Sequence, residues 1–244
     1  LEEQEEAAIH GVAGTGKTVL AVQKAKSLSE TGTVLFLCFN RFLKDHLQDA
    51  YSGESGISFY TLDGLLARYT SHFSQDPTER SEMITEFLMD WDKYEIPFHH
   101  IVIDEGQDFQ DEHLQLLHTI AKGKGGCFYV FYDKNQFIQG LTYAQWLDQM
   151  ECRLVLSRNC RNTKEIAVTS TRPIGLEESR IKMRREFNNS SAWKPNLFFV
   201  DDEPSLQDHL AKLIKKYTSA GIAAKDIVVL SMKPEGKSII QQSD

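Results

Sequence analysis

Positive charge is in short supply in this sequence: 27 Lys and Arg stand against 35 Asp and Glu, a formal net charge of −8 over 244 residues. A chain-wide basic surface for nucleic acid is thereby excluded, although a local positive groove inside an acidic whole is not. Cysteine is also scarce. Cys38, Cys127, Cys152 and Cys160 are scattered, without a C-x-x-C pair or a His at zinc spacing, so they indicate neither a disulfide framework nor a zinc site. Buried reduced thiols are the expectation. No apolar run reaches the length of a membrane span, and the acidic start Leu1-Glu2-Glu3-Gln4-Glu5-Glu6 is unlike a signal peptide. A cytoplasmic protein is expected. Hydrophobic residues at 41% and charged ones at 25% describe an ordinary globular chain, long enough for one large or two small domains.

What is present begins at His10-Gly11-Val12-Ala13-Gly14-Thr15-Gly16-Lys17-Thr18, which fits G-x-x-x-x-G-K-[ST] directly after the apolar run Ala7-Ala8-Ile9. A buried strand would feed the loop, and a helix would start at Lys17. Gly11, Ala13, Gly14, Thr15 and Gly16 would wrap phosphate oxygens with backbone N–H groups. Lys17 would add charge at the β and γ phosphates, and the Thr18 hydroxyl would hold Mg²⁺. The competing reading of this stretch is an ordinary Gly-rich turn.

Downstream, the pattern alternates between buried strands and amphipathic helices. Strands are expected at Thr33 to Phe39, Ile57 to Tyr60, His99 to Asp104, Cys127 to Tyr132 and Arg153 to Leu156. Helices are expected from Lys17 to the Thr31-Gly32 stop, over Asn40 to Ala50, Asp111 to Lys122 and Thr163 to Thr169. Continuous apolar strands of this kind belong to a parallel sheet covered on both faces, an α/β fold. Residues 62–94 carry helical periodicity broken at Asp76-Pro77 and read as a small helical insertion. Leu1 to Glu6 reads as a frayed acidic helix or as a nucleotide contact through Gln4.

Between residues 173 and 195 the pattern weakens into a linker, and a βα rhythm restarts. A strand is expected at Asn196 to Val200, a helix at Ser205 to Ala220 and a strand at Asp226 to Leu230. The basic run Arg180-Ile181-Lys182-Met183-Arg184-Arg185 reads more readily as a solvated helix face than as a phosphate contact.

Asp104 and Glu105 close their strand where a phosphate-loop enzyme needs carboxylates, because the ends of neighbouring parallel strands open onto one crevice. Asp104 would hold Mg²⁺, and Glu105 would orient or deprotonate an attacking water. The alternative is that these acids merely favour the start of the next helix.

Asp104-Glu105-Gly106-Gln107-Asp108 resembles the D-E-x-Q-D box of superfamily 1 helicases of the UvrD/Rep type. Other stretches resemble that family's motifs in order. Phe36-Leu37-Cys38-Phe39-Asn40-Arg41 is similar to motif Ia, and Tyr60-Thr61-Leu62-Asp63-Gly64-Leu65 to the segment that faces DNA. Tyr132-Asp133-Lys134-Asn135-Gln136-Phe137-Ile138 is similar to motif III, and Leu156-Ser157-Arg158-Asn159-Cys160-Arg161-Asn162 to motif IV.

The resemblance implies a RecA-like ATP-binding domain over residues 1–172 and part of a second RecA-like domain over 196–244. It implies Mg-ATP hydrolysis driving movement on single-stranded DNA, with RNA also compatible. Gln136 would sense the γ-phosphate, Arg161 would act as an arginine finger and Gln4 would read the adenine edge. Phe39, Asn40, Arg41, Tyr60, Thr61 and Phe137 would grip the strand by stacking and phosphate contacts. The sequence also departs from the pattern. Cys160 stands where the family usually has a tyrosine that stacks on adenine, and Gln139-Gly140 replaces an aromatic and arginine pair. No counterpart of motifs V and VI occurs up to Asp244. A further domain or a protein partner would supply them. An ATP-binding switch that recruits a partner protein, and a small-molecule kinase, are the competing functions.

Overall fold

The computed structural model describes residues 4–71, 74–135, 145–171, 182–183 and 196–231. The chain divides into two compact units, residues 1–194 and 195–244.

The first unit is built on a six-stranded parallel sheet. Its strands are β1 (Glu6–Gly11), β2 (Val34–Cys38), β3 (Ile57–Tyr60), β4 (His100–Asp104), β5 (Phe128–Tyr132) and β6 (Arg153–Leu156). Their order across the sheet is β3-β2-β4-β5-β1-β6. Strands β2, β4 and β5 are buried along their whole length, which explains their uninterrupted apolar composition. The pleat divides these runs between two cores. Val34, Phe36 and Cys38 of β2 join Ile9 of β1 under helices α1 (Lys17–Ser29) and α2 (Arg41–Ala50). Leu35 and Leu37 face the other way, with Ile101, Ile103 and Val130, under α3 (Leu62–Tyr69), α4 (Pro77–Met89) and α5 (Asp111–Gly123).

Helices α3 and α4 lie between β3 and β4, within the stretch read as helical. Its Asp76-Pro77 break is the start of α4, where Asp76 Oδ1 accepts from the N–H groups of Thr78 and Glu79 at 2.9 and 3.0 Å. At the amino end of the sheet, His100 links three elements. Its Nδ1 accepts from the Cys127 N–H at 3.0 Å, so Nε2 carries the proton and meets Thr31 Oγ1 at 3.1 Å. Burial holds this ring's pKa at about 4, aided by His99 and Lys24.

Some expectations need correction. Glu6 opens β1 instead of closing a helix, and residues 1–3 lie outside the described set. Within the basic run, Lys182–Met183 forms a short strand, β8, paired parallel with β7 (Arg158–Asn159), so that part is not a helix face. Helix α6 (Lys164–Thr171) falls near its expected place.

The second unit contains the expected helix, α7 (Glu203–Ser219), capped by the Asp202 side chain on the Ser205 N–H at 2.8 Å. Neither expected strand forms among its described residues, since 196–200 and 227–230 have no ladder partner. Their apolar side chains stand open, with Leu197 80%, Phe199 88% and Leu230 88% exposed. Among the described residues, no helix is long and apolar enough to cross a membrane.

Candidate nucleotide site and strand-facing cleft

The carboxyl ends of the parallel strands bring most of the expected residues to one edge. The loop after β1 turns through Gly14 at φ 85° and Gly16 at φ 87°, left-handed conformations that favour glycine. Gly16 starts α1 without a side-chain cap, so the first amides of that helix stay free for an anion. Thr15 braces the turn, its hydroxyl donating to the Val12 carbonyl at 2.7 Å. Lys17 is buried at 6% exposure. Its Nζ donates to the Gly11 carbonyl at 2.8 Å and stands 3.8 Å from Asp133 Oδ2.

Asp104, at the end of β4, is wholly buried. Its Oδ1 accepts from the Glu105 N–H at 3.1 Å, whereas Oδ2 has no hydrogen-bond partner among the described residues. Burial pushes its pKa up to about 6, against the opposing effect of Thr18 and with reinforcement from Glu105. A buried carboxylate oxygen with no donor, beside a Thr hydroxyl, suits a hard divalent cation, and these two residues are the ones that fit Mg²⁺.

Glu105 adopts φ 55°, unusual for a residue with a side chain. The conformation is supported from both sides. Gln107 Nε2 donates to Glu105 Oε2 at 2.8 Å, and Gln107 Oε1 accepts from the Asp133 N–H at 2.9 Å. Gln107, only 2% exposed, therefore bridges the carboxylates after β4 to the loop after β5. Gly106 is required by packing, because a Cβ there would lie 2.3 Å from Val130 Cγ1.

A second bridge reaches the phosphate loop from the other side. Asn159 Nδ2 donates to the Ala13 carbonyl at 3.1 Å, and its Oδ1 accepts from the N–H groups of Arg161 and Asn162 at 3.2 and 2.9 Å. The Cys160 N–H donates to the Gly14 carbonyl at 2.8 Å. Arg161 and Cys160 are exposed on this edge, so Cys160 departs from the expected buried thiol.

The residues expected to face a nucleic-acid strand lie toward the other side of the same edge. Phe39, Arg41, Tyr60 and Thr61 line an open cleft of about 830 Å³ at the ends of β2 and β3. Asn40 caps α2, accepting from the Phe42 N–H at 2.8 Å, and Thr61 caps α3, accepting from the Gly64 N–H at 3.0 Å. Phe39 is 38% exposed, and Phe42 beside it is 86% exposed. Counting strand spacings from β1 to β2, the cleft stands roughly 15 Å from the phosphate loop.

Not every expected residue reaches the site. Gln4 precedes β1, at the end of the strand away from the loop and roughly 20 Å from it by strand rise, and its carbonyl accepts from the Tyr129 hydroxyl. Gln136 and Phe137 lie outside the described residues. Conversely, Asp133 and His10 were not singled out by sequence. Burial holds the His10 pKa below the usual range, and its Nδ1 accepts from the Lys134 N–H at 3.4 Å. The signal for Asp133 was its place at the end of a buried strand, the same signal that marked Asp104.

A family model described as "Schlafen group 3, DNA/RNA helicase domain" matches residues 5–170. None of the curated proteins matches. Among solved structures, the Pif1 helicase from Candida albicans is similar over 95% of this chain and 55% of its own, at 16% sequence identity and a TM-score of 0.43. This chain thus spans about half the length of that protein.

Proposed function

The chain belongs to the Schlafen group 3 DNA/RNA helicase-domain family, and on that premise we propose that it is an ATP-driven motor on single-stranded nucleic acid, DNA first and RNA as an alternative. One observation carries the reading: buried Lys17 and Asp104, whose Oδ2 has no hydrogen-bond partner among the described residues, accompany a helix α1 that starts without a side-chain cap on its first amides. Residues 1–172 would form the first RecA-like motor domain, 173–195 a linker and 196–244 part of a second.

In this mechanism the loop amides and Lys17 bind the phosphates, Lys17 exchanging its bond to the Gly11 carbonyl for a phosphate oxygen. Thr18 and Asp104 would hold Mg²⁺, which would supply charge neutralisation at the phosphates. Glu105, held by Gln107, orients the attacking water and takes its proton. Arg161 stabilises the charge that develops on the transferred phosphoryl group, and Gln136 senses the γ-phosphate. Gln107 would carry the nucleotide's state from Glu105 to the backbone of Asp133, three positions before Gln136 in the sequence.

The test is Mg²⁺-dependent ATP hydrolysis with and without single-stranded DNA. Stimulation by the strand is expected, with loss in Lys17→Ala and Glu105→Gln; turnover unchanged by either substitution would sink the proposal. A second reading, an ATP-binding switch that recruits a protein, draws on the net charge of −8 and the exposed Leu197, Phe199 and Leu230. ATP binding without strand-stimulated turnover would favour it.

A further inference from the structure

Beside the strand-facing cleft lies a smaller cavity of about 270 Å³. It shares Phe39, Thr61 and Asp63 with the cleft and adds Asp108, Phe109 and Gln110. Its volume falls just below that of drug-sized ligand pockets, which start at roughly 300 Å³, so it holds one planar ring system and little more. Two phenylalanines supply apolar walls: the rings of Phe39 and Phe109 meet edge-on with centroids 6.4 Å apart.

The polar lining narrows the choice of occupant. Asp108 is only 7% exposed, and no described residue donates a hydrogen bond to its carboxyl. Burial, with the nearby Glu105, lifts its pKa to about 6. A carboxylate so little exposed to water gains from a ligand that brings N–H groups. The cation on this cavity, Arg80, is engaged 3.5 Å from Asp63, so the lining does not favour a phosphate. Gln110 Oε1 accepts from Ser81 Oγ at 2.7 Å, which leaves the Gln110 amide N–H groups available as donors.

We infer that this cavity takes a single unstacked base from a strand lying in the cleft, and that Asp108 and Gln110 select guanine. The inference rests on the strand-binding reading above. A carboxylate accepts best from two neighbouring donors, and guanine alone presents N1–H and the N2 amino group side by side, next to a carbonyl that suits an amide donor. Thymine offers one N–H between two carbonyls, which a carboxylate repels.

The test is fluorescence anisotropy with a short oligothymidylate and with strands in which one central thymine is replaced by guanine, adenine or cytosine. Wild-type protein is expected to bind the guanine strand about tenfold more tightly than the all-thymine strand, the usual worth of a good bidentate base contact. Asp108→Asn should bring the two together, and hypoxanthine, which lacks the N2 amino group, should fall between them. Equal binding of all the strands by the wild type would overturn the pocket alone. A guanine preference that survives Asp108→Asn, or an equal loss for every strand in that variant, would overturn it too. Absence of binding to any strand would overturn the strand reading and the pocket together.

Discussion

The two sides of one sheet edge handle polar groups in opposite ways. Around β1, β4 and β5, Lys17, Asp104, Gln107 and Asp133 are all buried, and all but one Asp104 oxygen have partners. At β2 and β3, Asn40 and Thr61 spend their side chains capping helices, while Phe39 and Phe42 stand in the open. The first arrangement is preorganised, with groups fixed before a ligand arrives. The second is a surface of accessible ring faces on which bases of a bound strand can stack.

The sharpest way to break this contrast is at the buried side. Lys17→Ala or Glu105→Gln should lower ATP turnover by about 100-fold or more, measured as phosphate release under saturating Mg-ATP. A modest loss would mean that the buried cluster is only structural.

The next effect concerns stability without nucleotide. The Asp104 pKa is raised from an ordinary 3.8 to about 6, so the stabilisation tied to its protonated form is present below pH 4 and lost as pH rises through 6. The shift corresponds to about 3 kcal/mol by pH 8. The melting-temperature advantage of the wild type over Asp104→Asn should therefore shrink as pH rises from 4 to about 6.5, a difference in which the contributions of Asp108 and His100 cancel. His100 has the opposite sign: its pKa is lowered from 6.5 to about 4, so stability falls as pH drops through that interval. Asp104→Asn should retain this acid-side loss.

On the open side, Phe39→Ala should weaken binding of a single strand about tenfold, in line with roughly 1–3 kcal/mol for one stacked base. Equilibrium anisotropy would measure it, and an unchanged Kd would remove Phe39 from the strand-binding surface. The smallest expected effect is Asn159→Ala, about 1–2 kcal/mol of unfolding free energy in urea for the lost bridge to Ala13 and its two accepted bonds.

Much of this fold was legible because buried parallel strands leave long apolar runs, and β2, β4 and β5 are of that kind. The same rule failed at residues 196–200 and 227–230, where apolar runs exist without neighbouring strands among the described residues. A strand pattern records a preference for burial but not the partner that satisfies it. The phosphate loop and Asp104-Glu105 were legible because their chemistry depends on residue type at fixed spacing. The bridging role of Gln107, the proximity of Asp133 to Lys17 and the pocket at Asp108 depend on which strands lie side by side. The order β3-β2-β4-β5-β1-β6 is not written in any one segment. Gln4 is different: β1 runs directly into the loop, so seven residues of extended chain carry its side chain to the opposite end of the strand from Gly11.

Asn159 sets a measure between two loops. One amide group holds the Ala13 carbonyl with its nitrogen and positions the Arg161 N–H with its oxygen, so the Arg161 backbone is indexed from the phosphate loop itself. Adding or deleting one residue between Asn159 and Arg161 would displace that residue by about 3.3 Å, beyond the tolerance of a hydrogen bond. Length in this loop is therefore held more tightly than composition, and tolerance to insertions should drop sharply between these two positions.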